Sequence, residues 1–166
     1  HSNGFSLVRH LIAQAGLDYR EPAPFMPAQA LGEALLGPTR IYVAAALAAT
    51  RAGLVKGLAH ITGGGLIENI PRMLPAGLGV VLDAASWPLP PVFAWLRRLG
   101  GLSDLDLART FNCGIGMVAV ASPDAAAEAA AALTAAGETV WPIGRVAAVP
   151  EGGMRVCIEG MATWHD

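Results

Sequence analysis

The spacing of apolar residues predicts two amphipathic helices. In the first, apolar residues recur every three or four positions, at Leu7, Val8, Leu11, Ile12 and Ala15. Gly16 suits the end of this helix, and Ser2 or Asn3 is expected to cap its start. The second helix is opened by Pro90 and Pro91, and its apolar face consists of Val92, Phe93, Leu96 and Leu99.

Four further helices are predicted from composition and from residues that start or stop a helix. Three of them cover 29–36, 66–73 and 124–136, and the other is an alanine-rich stretch that ends near Ala52. Pro71 limits the length of the helix at 66–73, and Ser122 with Pro123 is expected to open the helix at 124–136. Ser103 and Asp106 have the spacing of a capping box, which predicts a helix start between these two segments.

Shorter apolar runs predict strands, at 58–61, 79–82, 117–121, 140–149 and 154–158. Residues 20–28 contain three prolines and are expected to form an extended connector. Helices and strands are mixed without a regular strand–helix–strand order. The pattern therefore predicts an α+β fold, in which a layered mixed sheet is covered by helices within one domain over 1–166.

Composition and charge argue against several classes of protein. The chain has 166 residues, a net charge of −2 and scattered basic residues, so a nucleic-acid-binding surface is not expected. The apolar run at 125–133 contains Glu128 and is shorter than the roughly 20 residues of a membrane span, and a signal peptide is not expected. Cys113 and Cys157 form no C-x-x-C motif, which favours a reducing, cytoplasmic location.

The segment H-I-T-G-G-G, residues 60–65, joins a predicted strand to a predicted helix. Free N–H groups converge at such a junction, which makes it a candidate anion site. Thr62, Asn69 and Arg72 add a hydroxyl, an amide and a guanidinium that suit a phosphate. A tight turn or a flexible hinge is the alternative, and His60 alone is more typical of a buried, hydrogen-bonded histidine. The segment matches neither G-x-G-x-x-G nor a P-loop.

Three other segments carry polar residues beside turns or helix starts: H-S-N-G at 1–4, P-T-R-I-Y at 38–42 and T-F-N-C-G-I-G-M at 110–117. A helix cap, a surface charge and a turn are the respective alternatives. Cys113 has no paired histidine in the sequence, so a nucleophilic role is not expected. The chain contains no G-x-S-x-G, no H-E-x-x-H and no acidic metal-binding loop, and no metal ligand is predicted.

Five segments, in this order, resemble the C-terminal half of the phosphoribosylformylglycinamidine cyclo-ligases, also called aminoimidazole ribonucleotide synthetases. They are H-S-N-G-F-S-L-V-R, P-T-R-I-Y-V, H-I-T-G-G-G-L-I-E-N-I-P-R, A-S-W-P-L-P-P-V-F-A-W-L and T-F-N-C-G-I-G-M. The resemblance runs from His1 to about Val149, and residues 150–166 form a tail that it does not cover. It implies that the chain is the C-terminal domain of a two-domain synthetase.

The resemblance also implies a reaction and a set of site residues. ATP activates the formyl amide oxygen of formylglycinamidine ribonucleotide, and an internal nitrogen closes the imidazole ring with release of ADP and phosphate. By this resemblance His1 and Asn3 are the candidate catalytic residues. The candidate substrate and phosphate contacts are Ser2, Gly4, Arg40, His60, Thr62, Gly63, Gly64, Gly65, Asn69, Arg72 and Asn112.

The family's N-terminal half is absent from this chain, and in the family that half supplies most contacts to ATP and Mg²⁺ and much of the dimer interface. The full-length protein is therefore expected to be a homodimer that binds a ribotide and ATP. The isolated chain is expected to fold, as a monomer, but not to turn over. His1 and Asn3 are expected to affect activity more than His10 or His165.

Two positions depart from the family pattern. Ala44 replaces a lysine that commonly follows T-R-I-Y-V, and Asp106 replaces a glutamate before R-T-F-N. Two other functions stay open. The first is a non-catalytic ribotide-binding or assembly domain. The second is another ATP-dependent member of the superfamily, such as the related amidotransferase synthetase, selenophosphate synthetase, thiamine-phosphate kinase or hydrogenase-maturation dehydratase.

Overall fold

The structure is a computed structural model that describes residues 1–165. Within that range it contains seven α-helices: α1 (Phe5–Gln14), α2 (Leu31–Leu35), α3 (Val43–Arg51), α4 (Gly65–Asn69), α5 (Pro91–Gly100), α6 (Asp104–Thr110) and α7 (Ala126–Ala135). The strands are β1 (Pro22–Ala23), β2 (Met26–Ala30), β3 (Gly57–His60), β4 (Leu78–Asp83), β5 (Met117–Val120), β6 (Gly144–Ala148) and β7 (Val156–Glu159). Short 3₁₀ helices cover Ile70–Met73, Ala84–Ser86 and Met161–His165.

The predicted α+β class is confirmed, and the strands are divided among three small sheets. β3 and β5 pair antiparallel, with Leu58 opposite Ala119. β4 lies between β6, which is antiparallel to it, and β7, which is parallel. β1 and β2 form a separate ribbon in the segment that the sequence predicted to be an extended connector. Pairing of this kind depends on non-local partners, so the local pattern reveals the strands but not their partners.

The two amphipathic helices form as predicted and supply much of the core. α1 buries Val8, Leu11 and Ile12, and α5 buries Leu96 together with Trp95, which the sequence analysis left off the apolar face. These side chains join one apolar cluster with the inner face of the β3–β5 pair and of α6. The predicted cap of α6 is also present, because the Asp106 N–H donates to Ser103 Oγ at 3.1 Å.

The predicted cap of α1 is wrong. Gly4 occupies the N-cap position with φ 74°, and no side chain caps the helix. A left-handed residue turns the chain sharply before the helix, so Ser2 and Asn3 point away from its first N–H groups. Ser2 Oγ instead lies 2.8 Å from Thr39 Oγ1.

Several boundaries differ from the predictions for identifiable reasons. The helix predicted over 66–73 ends as an α-helix at Asn69 and continues as a 3₁₀ turn around Pro71, which has no N–H to donate. α7 begins at Ala126 without the predicted side-chain cap. The strand predicted over 140–149 is limited to β6, and Pro142 lies in the part that does not pair.

The predicted tail over 150–166 belongs to the fold as far as residue 165, and Asp166 lies outside the described residues. Trp164 is 3% exposed, and its ring edge packs against Trp87 with centroids 6.0 Å apart. The Trp164 indole N–H donates to the Ala84 carbonyl at 3.3 Å. Across residues 1–165, none of the helices has the length and apolar character needed to cross a bilayer.

Candidate functional site

A cavity of about 160 Å³ brings together residues that are far apart in the sequence. Four of the predicted site residues line it, namely His1, Asn3, Thr62 and Asn112. The rest of its wall is almost entirely apolar and comes from α1, α2, α5 and the ends of β3 and α6: Phe5, Val8, Ala34, Leu35, Gly37, Ile61, Val92, Phe93, Leu96 and Phe111. A few polar groups on an apolar pocket are typical of small-molecule sites.

Packing of Phe111 positions the start of α1 beside this cavity. The Phe111 ring is buried and lies 5.7 Å, centroid to centroid, from Phe93. A side chain at Gly4 would overlap the Phe111 ring, so glycine is needed there both for the backbone angle and for space. The structure thus gives Gly4 a packing role, and its predicted contact with substrate stays a prediction.

Asn112 is held at the cavity by the turn that follows α6. Its Oδ1 accepts the Gly114 N–H at 3.2 Å, and its carbonyl accepts the Ile115 N–H at 2.9 Å. The Trp87 indole N–H donates to the neighbouring Cys113 carbonyl at 2.9 Å. Because only the oxygen of the Asn112 amide takes part in the turn, its NH₂ group is the part that can donate to a bound molecule.

Two further rings pack against His1, which lines the cavity. His1 Nε2 lies 2.6 Å from the Tyr42 hydroxyl, and the His60 ring stands edge-on to both, with centroids 5.5 Å from His1 and 5.9 Å from Tyr42. His1 and Tyr42 are half-buried, whereas His60 is exposed. The sequence alone does not identify Tyr42, although its segment P-T-R-I-Y contains the candidate residue Arg40.

Burial is the main cause that raises the pKa of Tyr42 above its ordinary value. The Glu138 carboxylate raises this pKa further, and the Arg40 guanidinium opposes both effects. The Tyr42 phenol is therefore neutral near pH 7 and keeps its proton for donation.

The glycine triplet supplies fewer free donors than predicted. The Gly65 N–H already donates to the Thr62 carbonyl at 3.0 Å, and a side chain at Gly65 would overlap the Ala108 and Phe111 carbonyls. Gly65 therefore serves close packing against α6 rather than anion binding. Within residues 1–165, the N–H groups of Gly63 and Gly64 have no hydrogen-bond partner. α4 has only five residues, so any anion here is bound by loop N–H groups rather than by a long helix dipole.

Asn69 holds this turn by hydrogen bonds from its side chain, and its predicted contact with phosphate stays a prediction. The residue is 4% exposed, and its Nδ2 donates to the Gly63 carbonyl at 3.0 Å and the Gly65 carbonyl at 2.8 Å. The Thr62 hydroxyl donates to Asn69 Oδ1 at 3.3 Å. A buried amide needs such partners, so these contacts occupy Asn69 within the protein.

The two predicted arginine contacts lie away from the cavity. Arg40 Nε is 2.6 Å from Glu138 Oε2, and Arg40 Nη2 donates to the Gly137 carbonyl at 2.7 Å, which ties P-T-R-I-Y to the end of α7. Arg72 lies on the exposed side of the 3₁₀ turn and does not line the cavity. Neither guanidinium is placed to contact a molecule held beside Asn3 and Asn112.

A second, larger cavity of about 380 Å³ is lined by residues 76–78 and by residues 149–153 with Arg155. Its one guanidinium is already used, because Arg155 donates to the carbonyls of Leu74, Pro75 and Leu78 at 2.8–2.9 Å. The described lining contains no histidine or side-chain amide. The smaller cavity therefore has the more suitable chemistry, in spite of its size.

The described residues do not suit a metal ion or a cysteine nucleophile. Within residues 1–165, no three histidine, cysteine, aspartate or glutamate side chains are grouped as metal ligands. Burial, with a smaller contribution from Asp104, raises the pKa of the Cys113 thiol to about 12. This thiol is accordingly protonated at neutral pH and unreactive.

The family model described as AIR synthase related protein, C-terminal domain, matches residues 1–157. The chain therefore belongs to this family, whose enzymes are in general ATP-dependent. The match confirms the resemblance that the five segments predicted. It also extends beyond Val149, where that resemblance ended, to Cys157 in β7.

Proposed function

We propose that this AIR synthase-related chain is the ribotide-binding domain of an ATP-dependent cyclo-ligase that converts formylglycinamidine ribonucleotide into aminoimidazole ribonucleotide in purine biosynthesis. One observation carries the proposal. The small cavity collects His1, Asn3, Thr62 and Asn112 from H-S-N-G, H-I-T-G-G-G and T-F-N-C-G. These are three of the five segments that resemble the cyclo-ligases.

The groups at the cavity suit the charge changes of that reaction. Phosphoryl transfer to the formyl amide oxygen and ring closure both need donors near developing negative charge. Asn3 and Asn112 offer amide N–H groups, and Thr62 offers a hydroxyl whose present acceptor, Asn69 Oδ1, is 3.3 Å away. The His1 imidazole lines the same cavity, and its ring N–H is one more donor for that developing charge.

The phosphate of the ribotide is proposed to meet the loop beside this cavity. The free N–H groups of Gly63 and Gly64 adjoin Thr62, and the Cβ position of Gly63 lies 3.4 Å from Asn3 Oδ1. Backbone N–H groups in a turn bind phosphate oxygens without needing a cationic side chain. The absence of Arg40 and Arg72 from the cavity wall is therefore compatible with phosphate binding.

ATP and Mg²⁺ are proposed to bind mainly to a part of the protein outside this chain. The cavity volume of about 160 Å³ is below the roughly 300–1,000 Å³ of complete ligand pockets, so we assign it to one part of the ribotide. The acidic residues in the described range do not cluster as a magnesium site would require. The residues present do not fit the ion.

Calorimetric titration of the purified chain with formylglycinamidine ribonucleotide tests the proposal. We expect saturable binding that falls at least tenfold in Asn3→Ala and His1→Ala, since each removes a polar contact at the cavity. His10→Ala is the matched control, because His10 lies on the exposed side of α1 and should bind as the unchanged chain does. Equal binding by all variants would contradict the proposed site.

A second measurement separates binding from catalysis. The chain alone should release no ADP from ATP and ribotide, whereas a protein that also carries the family's N-terminal half should do so. Cyclisation by the chain alone would contradict this division of roles. Ribotide binding without turnover in both proteins would favour the alternative of a binding or assembly domain.

A further inference from the structure

We propose that Tyr42 is a positioning residue for His1, and that Gly116 provides the space in which their side chains meet. The inference rests on the proposed function, in which His1 contacts the reacting ribotide. It adds two residues from outside the predicted site, one before α3 and one before β5.

The contact is short and its two sides are well anchored. The Tyr42 hydroxyl lies 2.6 Å from His1 Nε2, with the two ring centroids 5.3 Å apart. The Tyr42 carbonyl accepts the Ala46 N–H at 2.9 Å in the first turn of α3, which fixes the phenol relative to that helix. The edge of the His60 ring packs against both rings and restricts their movement.

Gly116 shows that the structure is built around this contact. Its φ is outside the left-handed region, so the backbone conformation does not require glycine. A Cβ at this position would instead overlap both the Tyr42 hydroxyl and His1 Nε2. The Gly116 carbonyl accepts the Ile61 N–H at 2.9 Å beside the β3–β5 pair, so the backbone cannot easily move away.

The inference includes the direction of this contact, since a phenol can either donate to Nε2 or accept from it. The neutral Tyr42 phenol can donate to Nε2, and the proton of the neutral imidazole then stays on Nδ1. A histidine whose second nitrogen is bonded in this way keeps one tautomer and one ring orientation. The charged groups that act on Tyr42 are Glu138 and Arg40, and their effects on its pKa oppose each other.

Nuclear magnetic resonance of the ¹⁵N-histidine-labelled chain tests the inference without any activity assay. In the wild-type chain, at a pH where the imidazole is neutral, His1 Nε2 should resonate as an unprotonated nitrogen and Nδ1 as a protonated one. Tyr42→Phe removes only the hydroxyl, and the two nitrogen shifts should move towards each other as the tautomers mix. Tyr19→Phe is the matched control, because this exposed tyrosine does not contact His1.

Gly116→Ala provides a second variant that keeps the Tyr42 hydroxyl but displaces it. The same change in the His1 nitrogen shifts is expected. If Gly116→Ala does not fold, the Tyr42→Phe spectrum decides alone. Unchanged His1 nitrogen shifts in Tyr42→Phe would overturn the inference, whatever the activity of the variant.

Kinetics of the full-length enzyme separate this inference from the proposed function. Tyr42→Phe should lower kcat about tenfold, which corresponds to the free energy of one hydrogen bond, and should change KM by less than about twofold. A changed His1 tautomer with unchanged kcat would support the positioning contact and contradict the catalytic role of His1. A lowered kcat with an unchanged tautomer would overturn the positioning role of Tyr42.

Discussion

His1 and His165 each form a hydrogen bond with one partner side chain, but the surroundings of the two pairs differ. His1 meets the neutral phenol of Tyr42 and lines a cavity together with Asn3 and Asn112. His165 meets the Asp104 carboxylate at 2.8 and 3.1 Å, and its side chain is 50% exposed. The two hydrogen bonds are similar in length, so the groups around each histidine determine which one can contact a ligand.

The Asp104 pair belongs to the tail rather than to a site. Asp104 also accepts from Arg97 Nη1 at 3.1 Å, and these contacts join the start of α6 to the 3₁₀ helix that contains Trp164. His165 also lies beyond the 1–157 range of the family match. A hydrogen-bonded histidine therefore indicates function only when unused donors and space lie beside it.

The largest expected effect distinguishes the two histidines directly. In a protein that also carries the family's N-terminal half, His1→Ala should lower kcat/KM by about 100-fold or more, because a donor to developing negative charge is lost. His165→Ala should change it less than about twofold. Steady-state kinetics with both variants provide the comparison, and equal losses would show that the cavity is not the reacting site.

A second prediction compares Gly65, which packs against α6, with Gly63, which borders the proposed phosphate site. Gly65→Ala should lower the free energy of unfolding by about 2 kcal/mol, because φ is 56° and the new Cβ meets the carbonyls of α6. Gly63→Ala should change it by less than about 0.5 kcal/mol, since only Asn3 Oδ1 is near. Urea unfolding measures both, and a stable Gly65→Ala variant would contradict the packing role.

A third prediction concerns the two cysteines, since Cys113 lies beside Asn112 at the cavity and Cys157 lies in the tail. The Cys113 pKa is raised from 9.0 to about 12, so the folded state holds this proton where the unfolded state has lost it. The free energy of unfolding therefore keeps the full contribution of the Cys113 thiol below pH 9. It loses this contribution as the pH rises towards 12, by at most about 1.4 kcal/mol per pH unit.

The difference in unfolding free energy between the unchanged chain and Cys113→Ala should follow this pH dependence. Thiol labelling of the folded chain at pH 8 should modify exposed Cys157 and leave buried Cys113 intact. Rapid labelling of both thiols would show that the turn beside Asn112 opens in solution.

The smallest expected effect concerns the tail. His165→Ala should lower the free energy of unfolding by less than about 1 kcal/mol, because an exposed pair with a carboxylate contributes little and is screened by salt. Thermal unfolding at low and high salt measures this contribution. A loss of several kcal/mol would show that the tail depends on this pair rather than on Trp164.

The sequence predicted the elements better than their contacts. The spacing of apolar residues predicts α1 and α5, and the residue types at 103 and 106 predict the cap of α6. All three predictions depend only on residues close together in the sequence. The pairing of β6 and β7 with β4, the Gly4 cap and the burial of Asn69 depend on residues that become neighbours only in the fold. His1, Asn3, Thr62 and Asn112 were found through family segments, whereas Tyr42 needed the structure.

The most direct test is a resonance titration of the isotope-labelled chain with formylglycinamidine ribonucleotide. We expect saturable shifts at the cavity residues His1, Asn3, Thr62 and Asn112, with the N–H groups of Gly63 and Gly64 shifting at the same ribotide concentrations. Shifts confined to the larger cavity around 76–78 and 149–155, or no saturable shift at the four cavity residues, would contradict it.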